Sequence, residues 1–167
     1  MTLARQAGIL YAKTRLRDSN KETPMEPTIL RGQCLCGAVR IALTPPTLFA
    51  SHCHCESCRR AHAAAFVTWT AVPTAQFVIE ENASELSAYA SSDGVTRSFC
   101  RTCGTSLMYT GQGRGAVYVP VGVLTTPLDR PVDSHVSYEE HVAWLDGVVG
   151  LPCFEAKTDV PTPSRML

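Results

Sequence analysis

The sequence predicts a mainly β domain of antiparallel sheets with little helix and two cysteine-built metal sites. Three observations predict it. Short runs rich in Val, Ile, Thr, Phe and Tyr recur along the chain, each bounded by Gly, Pro, Asn, Asp or Ser. Helical patterning is confined to two short stretches. Seven of the eight cysteines fall into three tight groups, leaving only Cys153 alone.

In chain order the runs are 38–43 (AVRIAL), 47–52, 65–72 (AFVTWTAV), 76–80 (QFVIE), 86–90, 95–99, 105–110 and 116–124 (AVYVPVGVL). That spacing suits an antiparallel all-β domain. In 65–72, Phe66 faces opposite to Val67 and Trp69, the pattern of a half-buried strand. Residues 56–64 (ESCRRAHAA) have room for a turn or two of helix. A second helix is expected at 137–145 (SYEEHVAWL), with Ser137 as cap and Glu139 and Glu140 in the first turn, where carboxylates favour the helix dipole.

The chain of 167 residues suffices for one domain with a sizeable core. That domain is expected at 29–156, between a flexible N-terminal extension (1–28) and a proline-containing C-terminal tail (157–167). Fifteen basic residues balance fifteen acidic ones. This neutrality gives no electrostatic reason to expect nucleic acid or an anionic membrane as partner. It is also a sum of unlike parts: residues 1–23 carry a net +3 and the rest −3. No stretch approaches the roughly 18–20 apolar residues of a membrane span. Residues 1–12 contain Arg5 and Gly8 and no uninterrupted apolar core, so no secretory signal is read and a cytoplasmic location is expected. In a reducing compartment, clustered cysteines are more often metal ligands than disulfides.

The groups are Cys34-Leu-Cys36-Gly37, Cys53-His54-Cys55-Glu-Ser-Cys58 and Cys100-Arg-Thr-Cys103-Gly104. Two thiolates separated by one or two residues share one ion when a tight turn brings both sulfurs to about 2.3 Å from it. The glycines after Cys36 and Cys103 suit turns that need positive φ. Seven thiolates divide into four plus three. Four close a structural zinc, whereas three leave a coordination position for water or substrate. The triple at 53/55/58 can supply the three, leaving Cys34, Cys36, Cys100 and Cys103 as the tetrad. A rival grouping joins Cys55 and Cys58 to Cys100 and Cys103 and orphans Cys53; the first uses every clustered cysteine. An iron–sulfur cluster could use the same ligands, but no further signature for one is present.

The strings GQCLCGAVRI, CHCESCRRAHAAAF, RSFCRTCGTSLMY and PVDSHV, with the downstream Trp144, resemble the glutathione-dependent formaldehyde-activating enzyme family, also called the CENP-V/GFA domain, over about residues 31–154. The resemblance implies an Mss4-like tent of antiparallel sheets holding two zinc ions. It implies a structural zinc on Cys34, Cys36, Cys100 and Cys103 and an active-site zinc on Cys53, Cys55 and Cys58. The implied activity is that of a carbon–sulfur lyase or synthase, joining glutathione or a related thiol to formaldehyde or a small aldehyde as an S-hydroxymethylglutathione-type adduct. The alternative is a non-catalytic two-zinc module that binds protein or nucleic acid.

Other residues are weighed against that site. His54 lies between two ligands, so its side chain should point away from their metal, leaving a proton carrier, a supporting residue or a surface group. His62 could line the site, and His135, at a family position, could approach the zinc. Arg59 and Arg60 could pair with a glutathione carboxylate or compensate the thiolates. Cys153 reads as a small buried hydrophobe, or as a fourth ligand that would close the second site. Trp69 and Trp144 read as core or pocket wall.

Overall fold

The computed structural model describes residues 28–147. Cys153, the tail at 157–167 and all but the end of the 1–28 extension lie outside the described residues. The elements are β1 (Leu30–Gln33), β2 (Arg40–Leu43), β3 (Ala50–Cys53), α1 (Glu56–His62), β4 (Val67–Pro73), β5 (Phe77–Glu81), β6 (Leu86–Ser92), β7 (Val95–Cys100), β8 (Ser106–Gly111), β9 (Ala116–Pro120) and β10 (Ser134–Val136). Each of the eight expected runs forms a strand, and α1 is the expected short helix. β1 and β10 fall where no strand is predicted. The run 116–124 is shorter than expected: it stops at Pro120, which has no N–H to donate, and Val121–Val123 form a 3-10 turn.

A small sheet has the order β1-β2-β5 and a large one β10-β3-β4-β9-β8-β7-β6. All pairings are antiparallel except β10, which lies parallel to β3 with His135 opposite His52 and Val136 opposite Cys53. The main core joins Leu30, Ile41 and Leu43 of the small sheet to Val72, Leu107, Val117 and Val119 of the large one, with Cys34 and Cys100 buried among them. A second cluster gathers Cys58, Val67 and Trp69 against Phe49, Tyr109 and Tyr118. The half-buried alternation expected of β4 holds only at its start. Trp69 to Val72 are all buried, because β4 is paired by β3 on one side and β9 on the other.

The helix expected at 137–145 does not form. Ser137 sits at φ +52°, whereas a capping serine needs extended backbone, and the segment makes two separate 3-10 turns, Tyr138–Glu140 and Ala143–Leu145. Glu140 serves a different helix: its carboxylate accepts the backbone N–H of Glu56, the first residue of α1, at 2.7 Å. Trp144, expected in the core or a pocket wall, is 68% exposed.

The connection that leads into β10 is tied to the lead-in of β3 by Asp129. Its carboxylate accepts the Thr47 hydroxyl at 2.6 Å and the Thr47 amide at 2.8 Å. Burial alone would push the Asp129 carboxyl up, but these donors and the neighbouring Arg130 charge hold it below its ordinary value. The stabilisation is therefore complete above the unfolded-state pKa of about 3.9 and is lost as pH falls through the lower folded-state value. Asp129→Asn is expected to cost about 1–3 kcal/mol at pH 7, because Thr47 is buried and one of its donors loses an anionic acceptor. In urea titrations the gap between wild type and variant should be constant above pH 5 and narrow below pH 4. A gap independent of pH would refute the assignment.

Candidate functional site

Two groups of sulfurs come together. Cys34, Cys36, Cys100 and Cys103 form one, and Cys53, Cys55 and Cys58 the other, each with all its sulfurs within 4.8 Å of one another. The division is the one preferred from sequence, and the grouping that orphans Cys53 does not occur. Sulfurs sharing one tetrahedral ion at about 2.3 Å should lie about 3.8 Å apart. Cys34 and Cys36 are separated by 3.5 Å, and Cys36 and Cys100 by 3.8 Å, so the tetrad fits such an ion. Its local geometry follows from the knuckles. Gly37 and Gly104 adopt φ of +75° and +74°, which lets each chain fold back so that the Gly37 amide reaches the Cys34 carbonyl and the Gly104 amide the Cys100 carbonyl. The Val39 amide donates to the Cys34 sulfur at 3.2 Å.

Without a cation the four sulfurs cannot all be thiolates. Hydrogen bonds from the Thr105 hydroxyl and amide pull Cys103 down to about 5. Cys36 is pushed up to about 12: the Ala38 amide favours its thiolate, but Cys34, burial and the remaining thiols outweigh it. Such opposed shifts mark a donor set that a divalent ion would neutralise.

The second group is built from β3, the turn after it and α1. Cys55 caps α1, its sulfur accepting the Cys58 amide at 3.4 Å. Burial and the neighbouring thiols push Cys53 up to about 12, against the Cys55 amide, and burial foremost raises Cys58. Alternation along the strands then decides what meets these sulfurs. Ser51 and Cys53 of β3, with Ser134 and Val136 of β10, look onto one side, where a cavity of about 320 Å³ is lined by them together with Phe49, Cys58, Trp69 and Tyr109. His52, His54 and His135 take the opposite parity.

That parity turns His54 away from the sulfurs, as its position between two ligands leads one to expect, and takes His135 with it. His54 is 2% exposed and neither at the surface nor among the thiols; its Nε2 meets Nδ1 of His135 at 2.8 Å. Around this pair lie His52, Phe66, Tyr138 and His141, so four of the chain's five histidines share one cluster. Burial, then the His135 charge, holds His54 below its ordinary value. His135 thus approaches His54 instead of the sulfurs. His62, at the end of α1, meets Trp69 edge-on at 5.2 Å, and burial, aided by the Arg97 charge, holds it down to about 4, leaving it neutral near pH 7. Arg59 is committed to the backbone, its Nε donating to the His54 carbonyl at 2.9 Å. Arg60 is free at the surface apart from a 3.7 Å contact with Glu56, and it lines a polar cleft with Tyr89, Ser91 and Arg97.

Sequence reasoning missed Arg97, Tyr109 and Phe49. Arg97 places a guanidinium nitrogen 4.0 Å from the Cys58 sulfur and lies over the Tyr109 ring at 5.4 Å, setting a positive charge beside the thiol trio. It comes from β7, opposite Tyr109 in the ladder, and no local pattern marks it. His52 was legible in principle, since it precedes His54 by two residues and so shares its face. Among the described residues no further His, Cys, Asp or Glu joins the trio.

The model of a family described as glutathione-dependent formaldehyde-activating enzyme matches residues 29–140. The chain belongs to that family. In this GFA chain the mainly β architecture, antiparallel sheets and paired cysteine clusters agree with the Mss4-like fold expected of it. An uncharacterized lyase of Schizosaccharomyces pombe is 33% identical over 78 residues, which cover 47% of the GFA chain and 55% of the relative. The alignment therefore spans about half of that relative's length. A crystal structure of a Rhodobacter sphaeroides protein superposes with a TM-score of 0.52 at 24% identity, covering 64% of the GFA chain and 99% of its own, and it shares the fold. No helix among the described residues is long and apolar enough to cross a membrane.

Proposed function

We propose that the protein is a zinc-dependent carbon–sulfur lyase or synthase that acts on glutathione or a related thiol together with formaldehyde or a small aldehyde. One observation carries this reading: Cys53 and Cys58 of the trio Cys53, Cys55 and Cys58 border a small, mostly apolar cavity, and no fourth protein donor among the described residues joins the trio. Family membership and a relative named a lyase support it. The reading assigns one zinc to the tetrad as a structural ion and one to the trio, in a cytoplasm that keeps the thiols reduced.

Zinc bound to three thiolates would carry a net negative charge, which suits it to hold a substrate sulfur as thiolate more than to activate water. The chain's own residues supply the rest. Phe49, Val136, Trp69 and Tyr109 give the cavity an apolar wall, which suits the methylene of a thiol–aldehyde adduct. Arg97 offsets part of the charge gathered at Cys58. Arg60 and Arg97, on the adjoining cleft, suit the carboxylates of an acidic thiol, whereas Arg59 is already engaged.

The test is calorimetric and kinetic. Zinc-loaded protein should bind glutathione saturably at one site, with a Kd between about 1 μM and 1 mM, and accelerate adduct formation with formaldehyde above the spontaneous rate. Two bound zinc ions with neither thiol binding nor acceleration would support the non-catalytic binding module instead.

A further inference from the structure

The cysteine trio stands between two spaces of unlike character. On one side of Cys58 is the polar cleft that Arg60 and Arg97 line with Glu56, Tyr89 and Ser91, where a guanidinium nitrogen of Arg97 lies 4.0 Å from the Cys58 sulfur. On the other is the cavity of about 320 Å³ that both Cys53 and Cys58 line. No Asp, Glu, Lys, Arg or His lines that cavity: beside the two thiols its lining is Phe49, Trp69, Tyr109 and Val136, with the small hydroxyls of Ser51 and Ser134. Trp69, Cys58 and Ser51 are buried, whereas Ser134 and Val136 belong to the exposed edge strand β10, so the lining combines a buried floor with an open rim. Formaldehyde has two heavy atoms and needs about 60 Å³, twice the share of one water in the liquid, and a dry cavity of about 150 Å³ admits benzene. A substrate sulfur with its methylene takes a similar share, about 60 Å³, and the room left over still exceeds what benzene needs. The ends of glutathione are ill suited to that room, because its carboxylates and ammonium would lose water with no counter-charge in the lining. Its carboxylates are matched instead by the arginines of the cleft.

We propose that the cavity beside Cys53 and Cys58 is a subsite for the hydrocarbon substituent of the aldehyde, so that the preferred partner of the thiol is an apolar aldehyde of about three to seven carbons, not formaldehyde. The inference rests on the thiol–aldehyde reading above and deepens it by naming the class of the aldehyde. In the joining direction, an electron pair on the thiolate sulfur forms the sulfur–carbon bond and the carbonyl π pair moves onto oxygen. The oxygen then takes up a proton from water, matching the one the thiol released to solvent. The product is a hemithioacetal whose new carbon carries a hydroxyl, a hydrogen and the hydrocarbon group; cleavage is the reverse. With the sulfur held at the trio and the charged body of the thiol in the cleft, the group on the new carbon is the part of the adduct left to meet Phe49, Trp69, Tyr109 and Val136. Burying it there stabilises the transition state relative to free aldehyde, and the gain appears in kcat/KM.

Zinc-loaded protein, glutathione and a series of straight-chain aldehydes from formaldehyde to heptanal provide the test, each catalysed rate divided by the spontaneous rate of the same aldehyde so that intrinsic reactivity cancels. The ratio should rise about two- to fourfold per methylene from acetaldehyde to hexanal and then level off as the cavity fills. Ser51→Val puts two methyl groups into the cavity in place of a hydroxyl and should lower the preference for hexanal over acetaldehyde at least about fivefold. In the unaltered protein the terminal methyl of the hexanal adduct should show nuclear Overhauser contacts to the ring protons of Phe49 and Tyr109, a readout that stands even where Ser51→Val fails to fold. A ratio that is flat or falls with chain length would overturn the proposal while leaving the thiol–aldehyde reading intact. So would a rise without those contacts, which would place the chain on another surface. No acceleration with any aldehyde, formaldehyde included, or no saturable binding of glutathione, would refute that reading itself, and the subsite with it.

Discussion

Replacing Cys100 with serine should leave no stably folded domain. Cys100 is fully buried at the end of β7, packed with residues of both sheets, and its sulfur lies 3.8 Å from that of Cys36. The tetrad therefore ties the turn after β1 to the β7–β8 turn across the main core. Apparent binding free energies of structural zinc reach about 10–16 kcal/mol in small zinc-binding peptides near neutral pH, and an ordinary domain is stable by only about 5–15 kcal/mol. Losing half of the former, about 5–8 kcal/mol, exhausts the stability of a domain in the lower part of the latter range. Serine also buries a hydroxyl that ligates zinc poorly. The expected result is loss of the cooperative thermal transition, reproduced in the unaltered protein by a strong chelator. Leu35→Ala is the control. Leu35 lies between two of the ligands but is 86% exposed, so its loss should change stability by less than about 0.5 kcal/mol. A Cys100→Ser protein melting within a few degrees of wild type would show that the tetrad does not hold a stabilising ion.

Cys58→Ser should have the opposite profile, a retained fold with the activity gone. Cys58 belongs to the smaller cluster with Val67 and Trp69, outside the main core. Bound zinc should fall from two ions per chain to one, and kcat/KM for adduct formation should drop at least about 10³-fold, equivalent to about 4 kcal/mol of transition-state stabilisation. Stability should fall by only about 1–2 kcal/mol beyond whatever the second ion contributes. The pair of substitutions separates the sites: one removes the fold, the other the chemistry. Activity surviving in Cys58→Ser would move the reaction away from the trio.

Much of this centre could be read along the chain because its determinants are local. A CxC or CxxC knuckle with a following glycine specifies its own turn, so the individual knuckles and the positive φ of Gly37 and Gly104 follow from spacing, whereas the meeting of Cys36 with Cys100 across 64 residues does not. The eight strand runs were legible for the same reason, since β-branched and aromatic residues between turn formers report a local preference. Ser137–Leu145 was misread because local capping preference lost to a tertiary acceptor: the Glu140 carboxylate is used by the start of α1. β10 was invisible because a three-residue strand carries too little pattern of its own and forms only by lying against β3.

The sequence by itself determined the fold class and the three local cysteine knuckles, and it favoured the four-plus-three division without fixing it. Those depend on neighbours a few residues apart, whose separation the covalent chain limits. Only the tertiary structure decided which face each side chain takes and what meets it there. Strand pairing set His135 against His54 on the side away from the sulfurs, brought Arg97 from β7 to within 4.0 Å of Cys58, and buried the Trp69 indole N–H without a partner. The physical reason is that a face is assigned by alternation plus register, and register is set by contacts between segments far apart in sequence.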